Sequence, residues 1–386
     1  EEEKKEKVFV PMKGKWESMH GQRGSSSWDP PLVTFETDAI ARPGYNEYNT
    51  ASEYNDQPHV LVEKVKLLAE MIKQSERCCA YTGAGISTSS GIGDYASSSK
   101  GEALTNTKPK SNYDAQPTLS HCVLTSLSRR GLLKHWVQQN HDGLPQKAGY
   151  PQKDLNEIHG AWYDPSNPVV MMNGQLRTDL FEWLLEWEEK SDLLLVLGTS
   201  LSGMNADRMV TSSSKRARKG EGLGSVIVSL QKTPKDSTCA LRIFSTIDKV
   251  MSLLADELDL LTVPCPDGSV FNVPEERRGE EEDVFLIPYD HEGNKLLPDS
   301  APLQRLDLRE DQVVRITRGE FAGDKGVVMG KHEEGHYRIQ FRHNIGKGGK
   351  RFMAPMMRTL GWWWVDGATR GDLPFLPVVN YVEEGN

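Results

Sequence analysis

Cysteine is scarce in this 386-residue chain. Its five thiols, Cys78, Cys79, Cys122, Cys239 and Cys265, are odd in number and include no CxxC pair. That excludes a four-thiolate zinc site and argues for a reducing intracellular compartment rather than a disulfide framework. Long apolar runs are also missing. Nothing approaches the roughly 18 consecutive apolar residues that a spanning helix needs, so neither an integral membrane protein nor a membrane partner is expected. Basic excess is absent: 46 Lys and Arg stand against 55 Asp and Glu, a net charge of −9. Such a surface does not wrap nucleic acid as a whole, but one basic module could still do so. An initiating Met is lacking too. The chain opens on Glu1-Glu2-Glu3, so a native start and a targeting segment upstream stay open.

What is present divides the chain, whose length predicts two domains or more. Residues 1–44 are polar and broken by Gly, Pro and Ser, and read as an extended arm pinned by Val8, Phe9, Val10, Trp16 and Trp28. From His59 onward, Val60, Leu61, Val65, Leu68, Met71 and Ile72 recur at helical spacing, which predicts an amphipathic helix. Short apolar runs follow at Cys78–Tyr81, Leu132–Gln138, Leu193–Gly198 and Val226–Leu230. Helical segments lie between and after them, at about 120–129, 178–189, 205–219 and 246–260. Buried-type strands alternating with helices predict an α/β, doubly wound, Rossmann-like parallel sheet over 45–262. Residues 263–310 carry a charge run, Glu275 to Asp283, and read as an acidic linker. Beyond Gln312, short alternating strands and frequent Gly predict a small all-β barrel over 311–361, without helix, and a tail over 362–386.

The first apolar run ends in Thr82-Gly83-Ala84-Gly85-Ile86-Ser87. Glycines permit a tight turn and close backbone approach, and amides at a following helix start face an anionic diphosphate. Alone, the string reads more readily as a bland strand-to-helix turn than as a phosphate site. Downstream stand Gln139-Asn140-His141-Asp142-Gly143-Leu144, Glu157-Ile158-His159-Gly160, Gly198-Thr199-Ser200-Leu201 and Val228-Ser229-Leu230-Gln231. Three of these four follow apolar runs, where parallel strands place their ligand-binding loops.

In this order the strings resemble the sirtuins, NAD-dependent protein deacylases, over about residues 45–260. The likeness is strongest to the chromatin-associated branch with GAGIST followed by SGI. The resemblance implies NAD as cofactor and an acyl-lysine protein as substrate. It assigns Gly83, Ala84, Gly85 and Ser87 to the NAD phosphates, and Gly198, Thr199 and Ser200 to the phosphates and ribose. Leu230 and Gln231 would sit beside the adenosine, and Asp94 would help hold the nicotinamide pocket. Asn140 and Asp142 would line the pocket for nicotinamide and its ribose, with His159 as general base. An imidazole suits that task because its unperturbed pKa of about 6.5 lies near neutrality.

Departures from the family pattern are equally specific. The interval Ala161 to Val170 has no cysteine and no room for the family's zinc module, so no metal site is expected. Tyr95-Ala96 stands where the family has Phe-Arg, Pro145 replaces a His, and His141 replaces an apolar residue. Two classes of function therefore stay open. One is an enzyme, a deacylase or an NAD hydrolase that uses water. The other is a catalytically impaired scaffold that binds NAD or nothing within a larger assembly.

Gly319 to Val328 resembles a KOW motif, the core of a small SH3-like barrel. Residues 311–361 hold ten basic and five acidic side chains, a local net of +5. The resemblance implies an RNA or acidic protein partner, with a purely docking role as the alternative. Trp362-Trp363-Trp364 are too many indoles for one solvated face and predict packing across a junction. Trp136, Trp183 and Trp187 read as core anchors, Cys78 and Cys79 as strand packing, and Lys215 to Lys219 as a basic helix end.

Overall fold

The structure, a computed structural model, describes residues 9–12, 19–42, 44, 46–93, 114–171, 174–261, 273–297, 302–347 and 350–382. The N-terminal arm is tied down. Phe9 and Met12 are buried in the main core, and Trp28 packs against it. Val10 is exposed, and Val8 and Trp16 lie outside the described residues. Four short strands close the arm: β1 (Leu32–Phe35), β2 (Ile40–Arg42), β3 (Asn46–Thr50) and β4 (Glu53–Asn55). β1 pairs with β4, and β2 with β3, both antiparallel.

Helix α1 (Pro58–Gln74) buries the face built from Val60, Leu61, Val65, Leu68 and Ile72. It leads into β5 (Cys78–Thr82), which is buried along its whole length. Then come α2 (Leu119–Arg129), β6 (His135–Gln138), α3 (Leu144–Lys147), β7 (Leu155–Glu157) and α4 (Thr178–Lys190). β8 (Leu193–Leu197), α5 (Arg208–Lys219), β9 (Gly224–Val228), β10 (Leu241–Ile243) and α6 (Ile247–Glu257) complete the domain. The six strands form one parallel sheet in the order β10-β9-β8-β5-β6-β7. Side-chain alternation splits them between two layers. Cys78, Ala80, Leu193, Leu195 and Leu197 face the core shared with α1, α2 and α6. Cys79, Tyr81, Leu194 and Val196 face the core shared with α4 and α5. Both cysteines therefore pack, and desolvation raises both thiol pKa values.

The chain runs outward from β5 to β7, returns to β8, and runs outward again to β10. The topological switch point thus lies between β5 and β8, where doubly wound sheets open a crevice beyond the strands' carboxyl ends. Among the described residues, no helix is long and apolar enough to cross a membrane.

The C-terminal region is more continuous than its sequence suggests. Within the expected linker, β11 (Val284–Ile287) pairs antiparallel with β12 (Gln304–Asp307), and Phe285, Ile287 and Leu306 enter a second core. The charged residues 275–283 mask this hairpin because they flank it. β13 (Val313–Ile316), β14 (Lys325–Lys331), β15 (Tyr337–Lys347) and β16 (Lys350–Leu360) follow. β13, the turn at 317–324 and β14 together contain the Gly319 to Val328 motif. The expected tail then supplies α7 (Trp362–Arg370) and β17 (Val378–Asn380), which closes the sheet β16-β15-β14-β13-β17. A helix in this region was not expected. Gly367 interrupts its pattern, and burial of Trp363, Trp364, Val365 and Ala368 outweighs that weak propensity.

Candidate functional site

The loops beyond β5 and β8 meet backbone to backbone. A Cβ on Gly85 would stand 2.7 Å from the Gly198 Cα, and one on Gly83 would stand 2.8 Å from the Gly198 oxygen. Gly198 itself has φ +63, a left-handed conformation that disfavours a side chain. Glycine is needed at all three positions for the two loops to close. The helix expected after the turn is instead two three-residue 3-10 turns, Ala84–Ile86 and Thr88–Ser90. Gly91 ends the second turn in the left-handed region.

Around this junction opens a cleft of about 800 Å³. Its lining includes Ala84, Gly85, Ser87, Asn140, Asp142, His159, Gly198, Thr199, Ser200, Leu230 and Gln231. Gly83 contributes from behind: its carbonyl accepts from Asn140 Nδ2 at 3.2 Å. Asp94, and with it Tyr95 and Ala96, lies outside the described residues.

The side chains from β5, β6 and β8 interlock. Ser87 Oγ donates to Asp142 Oδ2 at 2.7 Å, and Asn140 Nδ2 donates to Ser87 Oγ at 3.1 Å. Asp142 Oδ1 accepts from the Leu144 amide at 3.1 Å, fixing the start of α3. Gln139 Nε2 donates to Thr199 Oγ1 at 3.1 Å, joining the β6 loop to the β8 loop. At the far end Ser229 Oγ donates to the Gln231 carbonyl at 2.8 Å. The fully buried Arg242 braces that carbonyl from behind, paired with Asp236 at 2.9 Å.

His159 follows β7 and is 9% exposed. Its Nε2 is buried without a hydrogen-bond partner. Burial, reinforced by neighbouring His141 and opposed by the Gln139 backbone, lowers its pKa to about 4. The imidazole is thus neutral at physiological pH, with a nitrogen able to accept a proton. Glu157, two residues earlier, is pushed up to about 8 by burial. His141 lines the same cleft and its Nδ1 meets the Gly160 carbonyl at 2.8 Å. Pro145 is buried in the first turn of α3 and is not among the cleft-lining residues.

The loop after His159 is short and doubly anchored. The Val170 amide donates to the His159 carbonyl at 2.9 Å, and the Ala161 amide to Asn167 at 2.8 Å. The C-terminal module then packs on it. Tyr163 lies 5.1 Å from Trp363 and 4.7 Å from His336, ring to ring. The Gly361 amide donates to the Tyr163 carbonyl at 3.0 Å. Lys147 of α3 pairs with Glu334 at 3.0 Å. The tryptophan run therefore does cross a junction, through Trp363. No group of three or more His, Cys, Asp or Glu that could hold a metal occurs among the described residues.

Sequence reasoning missed the arm's contribution. Ala41, Arg42 and Glu53 line the cleft, and Trp162 and Met171 flank it beyond His159. Nothing in the arm's polar, glycine-broken composition marks Arg42. Gln139 stood within a motif already singled out, and only its contact with Thr199 was hidden.

No family model matches the chain. It is 31% identical over 268 residues to the NAD-dependent protein deacetylase SRT1 of Arabidopsis thaliana, covering 58% of this chain and 55% of that protein. It is 31% identical over 257 residues to the NAD-dependent protein deacetylase sirtuin-7 of Bos taurus, covering 54% of this chain and 63% of that one. The chain thus spans a little over half the length of these curated relatives. Among solved structures, Sir2Tm bound to a propionylated peptide aligns with a TM-score of 0.42 and 23% identity, over 50% of this chain and 98% of that one. Over a little more than half its length, the chain is thus similar in sequence to NAD-dependent protein deacetylases of the sirtuin kind.

Proposed function

We propose that the cleft binds NAD and that the protein uses it to remove an acyl group from a lysine side chain, releasing nicotinamide. The observation that carries this reading is the buried, unpartnered Nε2 of His159, held neutral in a cleft at the sheet's switch point. The residues present fit the cofactor. The glycine junction and Thr199–Ser200 offer backbone amides and hydroxyls to a diphosphate, Leu230 and Gln231 border the adenosine end, and Asn140 and Asp142 the nicotinamide ribose. When bound, NAD supplies a ribose carbon whose bond to nicotinamide is labile. Asn140 and Asp142, fixed through Ser87, orient that end of the cleft. His159 accepts a proton at Nε2 from a ribose hydroxyl, a role its low basicity suits once the hydroxyl acidifies in the transition state. Trp162, Val169, Val170 and Met171 form the apolar wall by which an acyl-lysine chain would enter.

Calorimetric titration with NAD and ADP-ribose tests the binding. Absence of heat at millimolar ligand refutes it. NAD binding without nicotinamide release in the presence of acyl-lysine peptide marks the protein as a scaffold instead.

The C-terminal module is assigned, within the same proposal, to partner docking. Arg338 and Arg342 are exposed on β15, and Met353, Met356 and Met357 are exposed on β16. An RNA partner predicts affinity that falls with salt; affinity flat in salt assigns a protein. Because β11, β12, α7 and β17 complete the module's core, the test uses the whole chain.

A further inference from the structure

An anionic diphosphate in this cleft needs more than backbone amides. The segments after the glycine turn are three residues each, too short to sum peptide dipoles into a useful positive end. Among the described residues, the lining holds two lysine or arginine side chains, Arg42 and Lys232, and two carboxylates, Glu53 and Asp142. Asp142 is committed to Ser87 and the Leu144 amide. The Lys232 ammonium sits 4.7 Å over the Tyr54 ring. Arg42 differs from both: its Nη1 donates to Ser200 Oγ at 3.3 Å, on the loop that packs against the glycine turn. Its positive charge also adds slightly to the lowering of the His159 pKa.

Arg42 does not belong to the parallel-sheet domain. It ends β2 of the arm, opposite Asn46 of β3. The hairpin, through β3, and the strand β4 that follows it are held to the domain beside the cleft. The Tyr54 amide donates to the Leu230 carbonyl at 2.9 Å, Glu53 bridges to Gln231, and Asn49 Nδ2 donates to the Lys232 carbonyl at 3.4 Å. The arm is thereby fixed to the loop that borders the adenosine end. A guanidinium offers paired donors that match phosphate oxygens.

We infer that Arg42 is a diphosphate-binding residue, supplied by the N-terminal hairpin, that clamps the cofactor's phosphates against the Ser200 loop. This inference rests on the proposed NAD binding and adds a ligand residue from outside the sheet domain.

Calorimetry on the full chain with ADP-ribose, ADP and adenosine tests it, comparing wild type with Arg42→Ala and Arg42→Lys. Removing a charge-assisted, paired contact weakens ADP-ribose and ADP about 10- to 100-fold and leaves adenosine unchanged, with Arg42→Lys intermediate. A thermal melt confirms that the variants fold. Equal affinity of wild type and Arg42→Ala for ADP-ribose overturns the inference while the cofactor reading stands. Equal losses for adenosine and ADP also overturn it, because the hairpin rather than the charge is then responsible. A wild type that binds none of the three ligands overturns the cofactor reading itself, and the inference with it.

Discussion

Trp363→Ala probes whether the C-terminal module is a mere appendage or part of the wall that holds His159. Trp363 is 6% exposed and packs edge-on against Tyr163, at 5.1 Å and an interplanar angle of 61°. His336 approaches its other side at 5.3 Å and 79°. Gly143, at the start of α3, leaves so little space that a Cβ there would stand 2.9 Å from the Trp363 ring. Truncation removes an indole that touches the module's own core, the loop after His159 and the turn after Asp142 together. Burial loss and the residual cavity cost about 3–5 kcal/mol. At about 2–4 °C per kcal/mol for domains of this size, the melting transition falls by roughly 10 °C. Scanning calorimetry measures that shift, and hydrogen exchange locates it. Protection should drop over 141–146 and 160–170 as well as over the module. A melting point within about 2 °C of wild type refutes the packing argument. Lost protection confined to residues beyond 273 refutes the coupling.

Further outcomes follow from the site and from the buried core. Gly85→Ala forces a Cβ to within 2.7 Å of the Gly198 Cα. The loops must separate by several tenths of an ångström, and ADP-ribose affinity should fall at least about tenfold by calorimetry at a modest cost in stability. Acid should destabilise the protein in a window set by buried histidines. His121, His135 and His159 have pKa values lowered to about 4, 3 and 4 by burial. Depressed values favour the neutral folded form, so their stability is present above pH 6.5 and is lost as pH falls toward 4 for His121 and His159 and toward 3 for His135, on the order of 3–5 kcal/mol each at the limit. Glu157, raised to about 8, acts oppositely: its contribution is present below about pH 4.5 and is lost as pH rises through 8. His135→Phe keeps the stack between Trp183 and Trp187 and should flatten the decline in melting temperature between pH 6.5 and 4.5.

The central strands and helices were legible because burial on both faces demands apolar runs, and Cys78–Thr82, Leu193–Leu197 and Gly224–Val228 supply them. The sheet's edges were not. β7 is Leu-Asn-Glu and β10 is Leu-Arg-Ile, three residues each, and their polar members are buried through specific partners such as Asp236 for Arg242. No periodicity reports such a partner. The site's motifs were readable because the loops after parallel strands carry them in fixed order, and, among the described residues, the structure brings every expected site residue but the flanking Gly83 into one cleft lining. The arm was hidden for another reason. Arg42 gains its place through hairpin pairing, through its bond to Ser200, 158 residues away, and through the bond of nearby Tyr54 to Leu230. The tail was misjudged likewise, since β17 pairs with β13 across more than sixty residues.

The most direct test of a working NAD-dependent cleft is nicotinamide release from NAD with an acyl-lysine peptide present, wild type against His159→Ala. The account predicts peptide-stimulated release by wild type and a loss of about 100-fold or more in the variant, with ADP-ribose binding retained. Equal release by the two proteins contradicts the role of His159, and no release by wild type that binds NAD contradicts catalysis in this cleft.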